Sequence, residues 1–455
     1  MEEITYDKTY REHTLIKVLG ITALAILILA GLGGAAPFAY VTNLGDYHNY
    51  TNYNPNVAVI DTATNNVTAR VPLGGGWPVG VAVNPAGTKI YVVDSPMDTS
   101  TVYVIDTATT KVSAKVNLGS IYPSRITFNP EGTRVYVTKQ HDYTDISVIN
   151  PATNTLMAPV IVGPSTYSIA FTPDGKKIYA ANCNNNTIYV IDAATNKVTA
   201  NISVGDSPYE LVVTPDGKKV YVPNYGSNTV SVIDTATDNV IATVPVGNSP
   251  NLVAVTSDGN KVYVANNNTV SVIDTATNNV IATIPVGTSS RKIVINPNGN
   301  RVYVVNFDSN SVSVIDTATD NVIANVPVGE QPMGIAVTQD GKKVYVANSR
   351  SSNVSVIDTA TDTVAATVNA GILPTGVVIV PLKDSNMTAK STGATSNATE
   401  EKSDAELNNS NKNNSESDNG SSSNGSESNK NNSTLGFGLL GSLTCLYGGW
   451  KLRKK

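Results

Sequence analysis

Few residues of this chain are of types that do chemistry. It has three histidines, His13, His48 and His141, and two cysteines, Cys183 and Cys445. None falls at the spacing of a metal-ligand set, so neither a metal nor any other cofactor is expected. A haem or copper centre would require axial or equatorial ligands that the chain scarcely has. His141 beside Asp142 could form an acid–base pair, but a solvated loop histidine is the plainer reading. Carboxylates recur at Asp61, Asp106, Asp192, Asp234, Asp274, Asp316 and Asp358, with Asn150 once in the same slot. A ring of acids is tempting, yet each stands at the head of an Asp-Thr-Ala-Thr-type turn, where such a side chain caps nearby amides. Asp174, Asp216, Asp258 and Asp340 precede glycine in tight turns. No glycine-rich loop has the strand-to-helix setting that phosphate binding needs. No catalytic residue is expected, and the chain is not expected to be an enzyme.

What remains is chemistry of recognition. Tyr47, Tyr50, Tyr53, Trp77, Tyr122, Tyr143, Tyr167, Tyr209 and Tyr225 fall in segments that vary along the chain. Arg125, Glu210, Arg291 and Lys292 open short apolar strands. Aromatic rings with a few charges can stack on sugars or anchor a protein partner. The plainer reading is that tyrosine, with 21 copies, is simply abundant.

The elements that must position these residues are repeats. Tyr-Val-x-Asn strands start at Tyr40, Tyr91, Tyr136, Tyr179, Tyr221, Tyr263, Tyr303 and Tyr345, spaced 51, 45, 43, 42, 42, 40 and 42 residues apart. Each leads to a strand alternating β-branched and small polar residues, a turn, a strand ending Val-Pro-Val-Gly, an apolar strand and a Pro-Asp-Gly-type turn. Four short strands per period of about 40 predict a β-propeller. No segment of the repeats has a sustained 3.6-residue apolar period, so the region reads as all-β. The uniformly apolar strand, such as Leu211-Val212-Val213, is expected innermost with both faces covered. The proline-bearing strand is expected outermost. Eight blades of four antiparallel strands are expected. Seven is the alternative if the irregular first unit is not a blade. Three N-terminal strands and the last apolar strand, Val377 to Val380, would complete one blade and close the ring.

Tyr40-Val41-Thr42-Asn43, Tyr263-Val264-Ala265-Asn266 and Tyr345-Val346-Ala347-Asn348, each with Val-Ile-Asp-Thr-Ala-Thr behind it, resemble the YVTN β-propeller repeats of archaeal surface-layer proteins. The resemblance implies a structural or adhesive role at a cell surface and brings no catalytic residues. Units two to four depart from it at Asp94, Lys139 and Ala180, changes that could mark a specialised sector.

The flanks agree with an exported protein. Residues 1–36 carry an apolar run behind Lys8, Arg11 and Lys17, expected to be a signal peptide or an N-terminal membrane anchor. Residues 37–381 are the propeller. Residues 382–433 are rich in Asn and Ser and poor in long apolar side chains, so they read as a disordered stalk. Residues 434–455 are a short apolar, Gly-rich segment with the basic end Lys451-Leu452-Arg453-Lys454-Lys455, expected to be an anchor or sorting signal whose charges stay inside. Glycosylation sequons start at Asn49, Asn66, Asn185, Asn201, Asn267 and Asn353, then at Asn386, Asn397, Asn408, Asn413, Asn419, Asn424, Asn431 and Asn432. A disulfide between Cys183, in a blade, and Cys445, in the terminal segment, is not expected, so closure must rest on strand pairing. With a formal net charge of −5 and 15% charged residues, nucleic acid is not an expected partner.

The expected function is therefore an exported, membrane-anchored surface-layer-type propeller. It would be a structural or adhesive module, meeting surface glycans or other surface proteins through the face whose loops vary. The alternative is an extracellular propeller enzyme, a lactonase or other hydrolase, using the axial channel. That would need acids or histidines converging near the axis, for which only Glu210 and Asp94 offer themselves.

Overall fold

The computed structural model describes residues 37–46, 53–95, 99–119, 121–141 and 143–380. Tyr47, Tyr50, Asn49, the eight sequons from Asn386 to Asn432, Cys445 and the segments 1–36, 382–433 and 434–455 lie outside the described residues. Among the described residues no helix is long and apolar enough to cross a membrane.

Eight antiparallel sheets follow one another around a ring. Blade 1 is made of Pro374–Ile379, Phe38–Asn43, Asn56–Asp61 and Asn66–Pro72, in order from the innermost strand outward. The last strand of the propeller thus pairs with the first, Val377 opposite Val41, which is the closure that the phase of the repeat predicts. Blade 2 begins at Pro78, blade 3 at Pro123, blade 4 at Thr166, blade 5 at Val212, blade 6 at Leu252, blade 7 at Ser290 and blade 8 at Pro332. Blade 3 alone has a broken outer edge, Thr155–Leu156 and Val160–Ile161, both paired to Asp145–Asn150.

Burial follows radius, with one departure from expectation. The Tyr-Val-x-Asn strand, second from the axis, is the most completely buried, as in Lys219–Asn224. The apolar strand is innermost as expected but only half-buried over much of its length; in Pro78–Val83 only Pro78 is fully covered. A strand at the axis has one edge with no further strand beside it, so the lumen gives it the exposure that sequence reasoning denied it. The outer strands are mostly exposed or half-buried, with one buried residue before a final exposed proline at Pro72, Pro245, Pro285 and Pro327, where no ladder donor is needed.

The cores lie between blades. Tyr345, Ala347 and Val356 of blade 8 pack with Val41, Ala58 and Ile60 of blade 1, and an equivalent cluster fills each other seam. Polar latches run beside the apolar ones. In six seams the buried repeat tyrosine donates its hydroxyl to the residue that ends the next blade's Asp-Thr-Ala-Thr turn. These are Tyr91 to Asn154, Tyr136 to Asn196, Tyr179 to Asp238, Tyr221 to Asn278, Tyr263 to Asp320 and Tyr345 to Asn65. The acceptors have left-handed backbone, with φ of 55° at Asn154 and 54° at Asp238, a conformation that Asn and Asp tolerate. Two residues before the tyrosine a lysine reaches the same turn, as Lys261 reaches Thr317 O at 2.8 Å and Asp320 at 2.7 Å.

The repeat's asparagine is spent inside its own blade. Asn224 is fully buried and its Nδ2 donates to Thr229 and Ser231. The Val-Gly glycine crosses directly over this side chain: a Cβ at Gly247 would lie 2.6 Å from Asn266 Nδ2. A side chain there would force the buried asparagine to shift.

Candidate functional site

The two faces of the ring differ in how their side chains are engaged. On the face carrying the Asp-Thr-Ala-Thr and Pro-Asp-Gly turns, the carboxylates cap their own turns, as expected. Asp234 Oδ1 accepts from the Thr237 amide and hydroxyl at 2.8 Å each, and this holds its carboxyl below the ordinary carboxylate range. Asn150 caps in the same way, accepting from the Ala152 amide at 2.9 Å. Asp174 accepts from the Thr172 hydroxyl at 2.6 Å and the Lys176 amide at 3.1 Å.

The inner strands begin at the opposite, variable-loop face, and their first residues share a geometry. In blade 7, Ser290 pairs with Asn306 and Lys292 with Val305, leaving Arg291 as the extra residue of a bulge. Tyr167 of blade 4, Val79 of blade 2, Thr375 of blade 1 and Met333 of blade 8 are the extra residues of equivalent bulges. A bulge turns the side chains near it away from the regular pleat. The residue after the bulge defines one ring of equivalent positions. It is Gly376, Gly80, Arg125, Ser168, Glu210, Leu252, Lys292 and Gly334 in blades 1 to 8.

The glycines of that ring mark where inner strands touch. A Cβ at Gly334 would lie 2.8 Å from Thr375 O of the next blade. On the other side of the ring the same position carries charge. Arg125 Nη1 of blade 3 and Glu210 Oε1 of blade 5 meet at 2.7 Å. A bridge that skips a blade at the inner edge must cross the lumen. Glu210 can reach because the inner strand of blade 5 pairs regularly only over Val212–Val213, after an isolated bridge at Pro208. Blade 4 supplies the wall: the Arg125 guanidinium lies 5.3 Å from the Tyr167 ring centroid. Tyr209 donates to the Tyr167 hydroxyl at 2.5 Å, their rings 4.1 Å apart.

Lys292 of blade 7 is electrostatically coupled to the same group. Arg125 first, then burial, push its ammonium down to about 8, with Glu210 opposing. Burial opposes the charge on Arg125, but Glu210 and the two tyrosines prevail and hold its guanidinium above its ordinary value. Beside them Arg291 lies over Phe307, 4.8 Å from the ring centroid. Four residues expected only to sit near the channel mouth, Arg125, Glu210, Arg291 and Lys292, therefore come from one ring of positions and its adjoining bulge.

The aromatic residues do not form one patch. Tyr209 is only 6% exposed and belongs to the lumen wall. Tyr122, 54% exposed, stands on the blade 3 rim, edge-on to His141 at 4.9 Å between ring centroids and tilted against Tyr143 at 6.4 Å. Tyr53 and Trp77 are half-buried between blades 1 and 2, with Tyr53 donating to Gly76 O at 2.6 Å. Tyr225 is half-buried in its loop. His141 is an exposed residue with left-handed backbone.

Two departures from the repeat prove to be local substitutions. Asp94, expected near the axis, instead occupies the buried asparagine slot of blade 2, where its Oδ1 accepts from the Thr101 amide at 2.7 Å. Burial pushes its carboxyl up to about 6, against the Thr101 amide, the Tyr103 hydroxyl and Lys115. Lys139 fills the same slot in blade 3 and pairs with Asp145 at 2.6 Å. Among the described residues no three of His, Cys, Asp and Glu gather as a metal site would. Of the described sequon residues, Asn66, Asn185, Asn201 and Asn267 are exposed, and Asn353 is half-buried.

Comparison with known proteins agrees on the architecture. The YNCE-like beta-propeller family matches two stretches, residues 128–224 and 295–383. No curated protein matches the chain. Among solved structures, the dihydro-heme d1 dehydrogenase NirN in complex with DHE is similar with a TM-score of 0.64 and 16% identity, over 77% of this chain and 76% of that one. A functionally unknown protein from Desulfotomaculum acetoxidans is similar with a TM-score of 0.54 and 16% identity, over 76% and 99%. The hydrazine synthase of Kuenenia stuttgartiensis covers 57% of this chain and 92% of its own, with 22% identity and a TM-score of 0.48. At such identities the likeness is one of fold, and fold does not carry function.

Proposed function

We propose that this β-propeller is an exported, surface-held binding module of structural or adhesive type, with a glycosylated stalk and recognition by the variable-loop face. One observation carries the choice of face. The turn face engages its carboxylates in capping and in seam latches, while at the opposite mouth blades 3, 5 and 7 bring Arg125, Glu210 and Lys292 to equivalent positions. Charged side chains set at an open mouth, on a scaffold that does not need them for pairing, suit recognition. Export and anchoring are supported by the terminal apolar segments and the sequon-rich polar stretch between them.

Location and binding can be tested together. Intact native cells would be labelled with a membrane-impermeant amine reagent, and the recovered chain analysed for both terminal cleavages and for glycans. Labelled protein with modified stalk sequons is expected. Labelling only after lysis would overturn the surface reading. In parallel, the full-length chain with Tyr122→Ala and Tyr143→Ala should adhere less to isolated native envelopes. Unchanged adherence would remove the blade 3 rim from the recognition face.

A further inference from the structure

We propose that the axial mouth on the variable-loop face binds an oxyanion, a carboxylate or phosphate group, with Lys292 as its charge partner and Arg125 as its second donor. This deepens the recognition reading of that face and rests on it.

Charge is the first argument. The ring of positions after the bulge holds two cations and one anion, with glycine, serine or leucine elsewhere. Glu210 is engaged by Arg125 at 2.7 Å, so the Lys292 charge has no carboxylate of its own in that ring. The inner strands on either side of it, Leu252–Val255 and Pro332–Val337, carry no charged residue. A cation held among like charges at a half-buried site is costly. The depressed Lys292 ammonium reports that cost, and Arg125 is its largest cause. A bound anion would remove it; a bound cation would add to it.

Preorganisation is the second. Arg125 is fixed by Glu210 on one side and by the face of Tyr167 on the other. Tyr167 is fixed in turn by its 2.5 Å contact with Tyr209. One guanidinium nitrogen serves Glu210, and the planar fork retains other N–H groups for a ligand oxygen. A guanidinium and an ammonium beside a low-dielectric wall suit an oxyanion, which accepts charge-assisted bonds from both.

The test is calorimetric titration of the purified full-length chain in detergent with glucuronate, inorganic phosphate and glucose at about pH 7. At least one oxyanion should bind while glucose does not. Lys292→Gln should lower the affinity roughly tenfold or more, and Lys292→Arg should keep it. Binding of glucuronate alone would identify an acidic saccharide as the source of the group, and of phosphate alone a phosphorylated one. A second readout uses pH. The ratio of native to Lys292→Arg affinity should fall on going from about pH 7 to about pH 9.5, because only the lysine loses its proton there; taking the ratio cancels the ligand's own titration. Binding of neither anion, binding unaffected by Lys292→Gln, or a flat ratio would each overturn the proposal. Intact-cell labelling is independent of all three, so a chain found at the surface without an oxyanion site would leave the surface reading standing.

Discussion

The hydroxyl of Tyr345 donates to Asn65 Oδ1 at 2.8 Å, joining residues 280 apart in sequence and locking the last blade of the ring to the first. Lys343 adds bonds to Thr62 O at 2.5 Å and to the same Asn65 Oδ1 at 3.1 Å. Five other seams carry the same tyrosine latch between neighbouring blades. The seam between the last and first blades is therefore latched as those five are, while the chain's ends meet inside blade 1, where Pro374–Ile379 pairs with Phe38–Asn43. Two seams lack the latch, because the hydroxyls of Tyr40 and Tyr303 are buried with no partner among the described residues.

That contrast predicts unequal costs for one chemical change. Tyr179→Phe removes a 2.7 Å bond to the Asp238 carboxylate and should destabilise by about 1.5–3 kcal/mol. Tyr303→Phe removes a buried hydroxyl that has no partner and should be neutral or stabilising. Urea unfolding midpoints of the two variants would show the difference. Equal losses would mean that the latch contributes nothing beyond ring packing.

The unlatched first seam can be repaired. The residue facing Tyr40 in the acceptor position is Thr110, whose φ of 53° is unfavourable for a β-branched side chain. Thr110→Asn would supply a side-chain carbonyl to Tyr40 and suit the left-handed backbone. A gain of about 1–2 kcal/mol is expected from the two effects together. A midpoint unchanged or lowered by the substitution would show that Tyr40 cannot reach the new acceptor.

Asp94 predicts a pH-dependent gain. Its carboxyl titrates at about 6 in the folded chain against an ordinary 3.8. Its stabilising contribution is therefore full below 3.8 and lost as pH rises through about 6, so at neutral pH the buried carboxylate is a burden. Asp94→Asn restores the repeat's own residue. Its Oδ1 can accept from the Thr101 amide, and its Nδ2 can donate to Tyr103. Stability at neutral pH should rise on the order of 2 kcal/mol, with the gain shrinking below about pH 6. A gain that does not change with pH would assign the effect to packing instead.

How much of this was legible in the residues depends on range. Blade number, strand order and ring closure were, because each strand and turn is written locally and then repeated. The capping role of Asp234 was legible for the same reason, its partner Thr237 being three residues away. The seam latch was not read, since Tyr221 and Asn278 lie 57 residues apart. A signal existed: the residue closing the Asp-Thr-Ala-Thr turn is Asn or Asp in every unit but blade 2, where it is Thr110. The lumen cluster was legible as charged residues at strand starts but not as a group. Arg125 and Glu210 are 85 residues apart, and the bulges that align them with Lys292 leave no compositional mark. The burial of Tyr209 is not legible either, because a tyrosine at a strand start looks the same whether it turns outward or, as here, stacks on Tyr167.

Lys292 should show a cost in stability that recognition explains. Its ammonium titrates at about 8 in the folded chain against an ordinary 10.5, because Arg125 repels it and burial desolvates it. A lysine lowered in the fold is penalised fully below about pH 8. The penalty shrinks between 8 and 10.5, where the folded chain has released a proton that the unfolded chain still holds. Lys292→Met should therefore stabilise the propeller at neutral pH by about 1–2 kcal/mol, after allowance for solvent in the lumen. Native and variant chains compared in urea at several pH values share the ionisation of the tyrosines, so that contribution cancels. The difference between them should narrow as pH rises beyond about 8. Stabilisation by Lys292→Met together with lost oxyanion affinity would mark a residue kept for binding at the expense of the fold. A destabilised variant would instead make Lys292 a structural residue whose charge the lumen already satisfies.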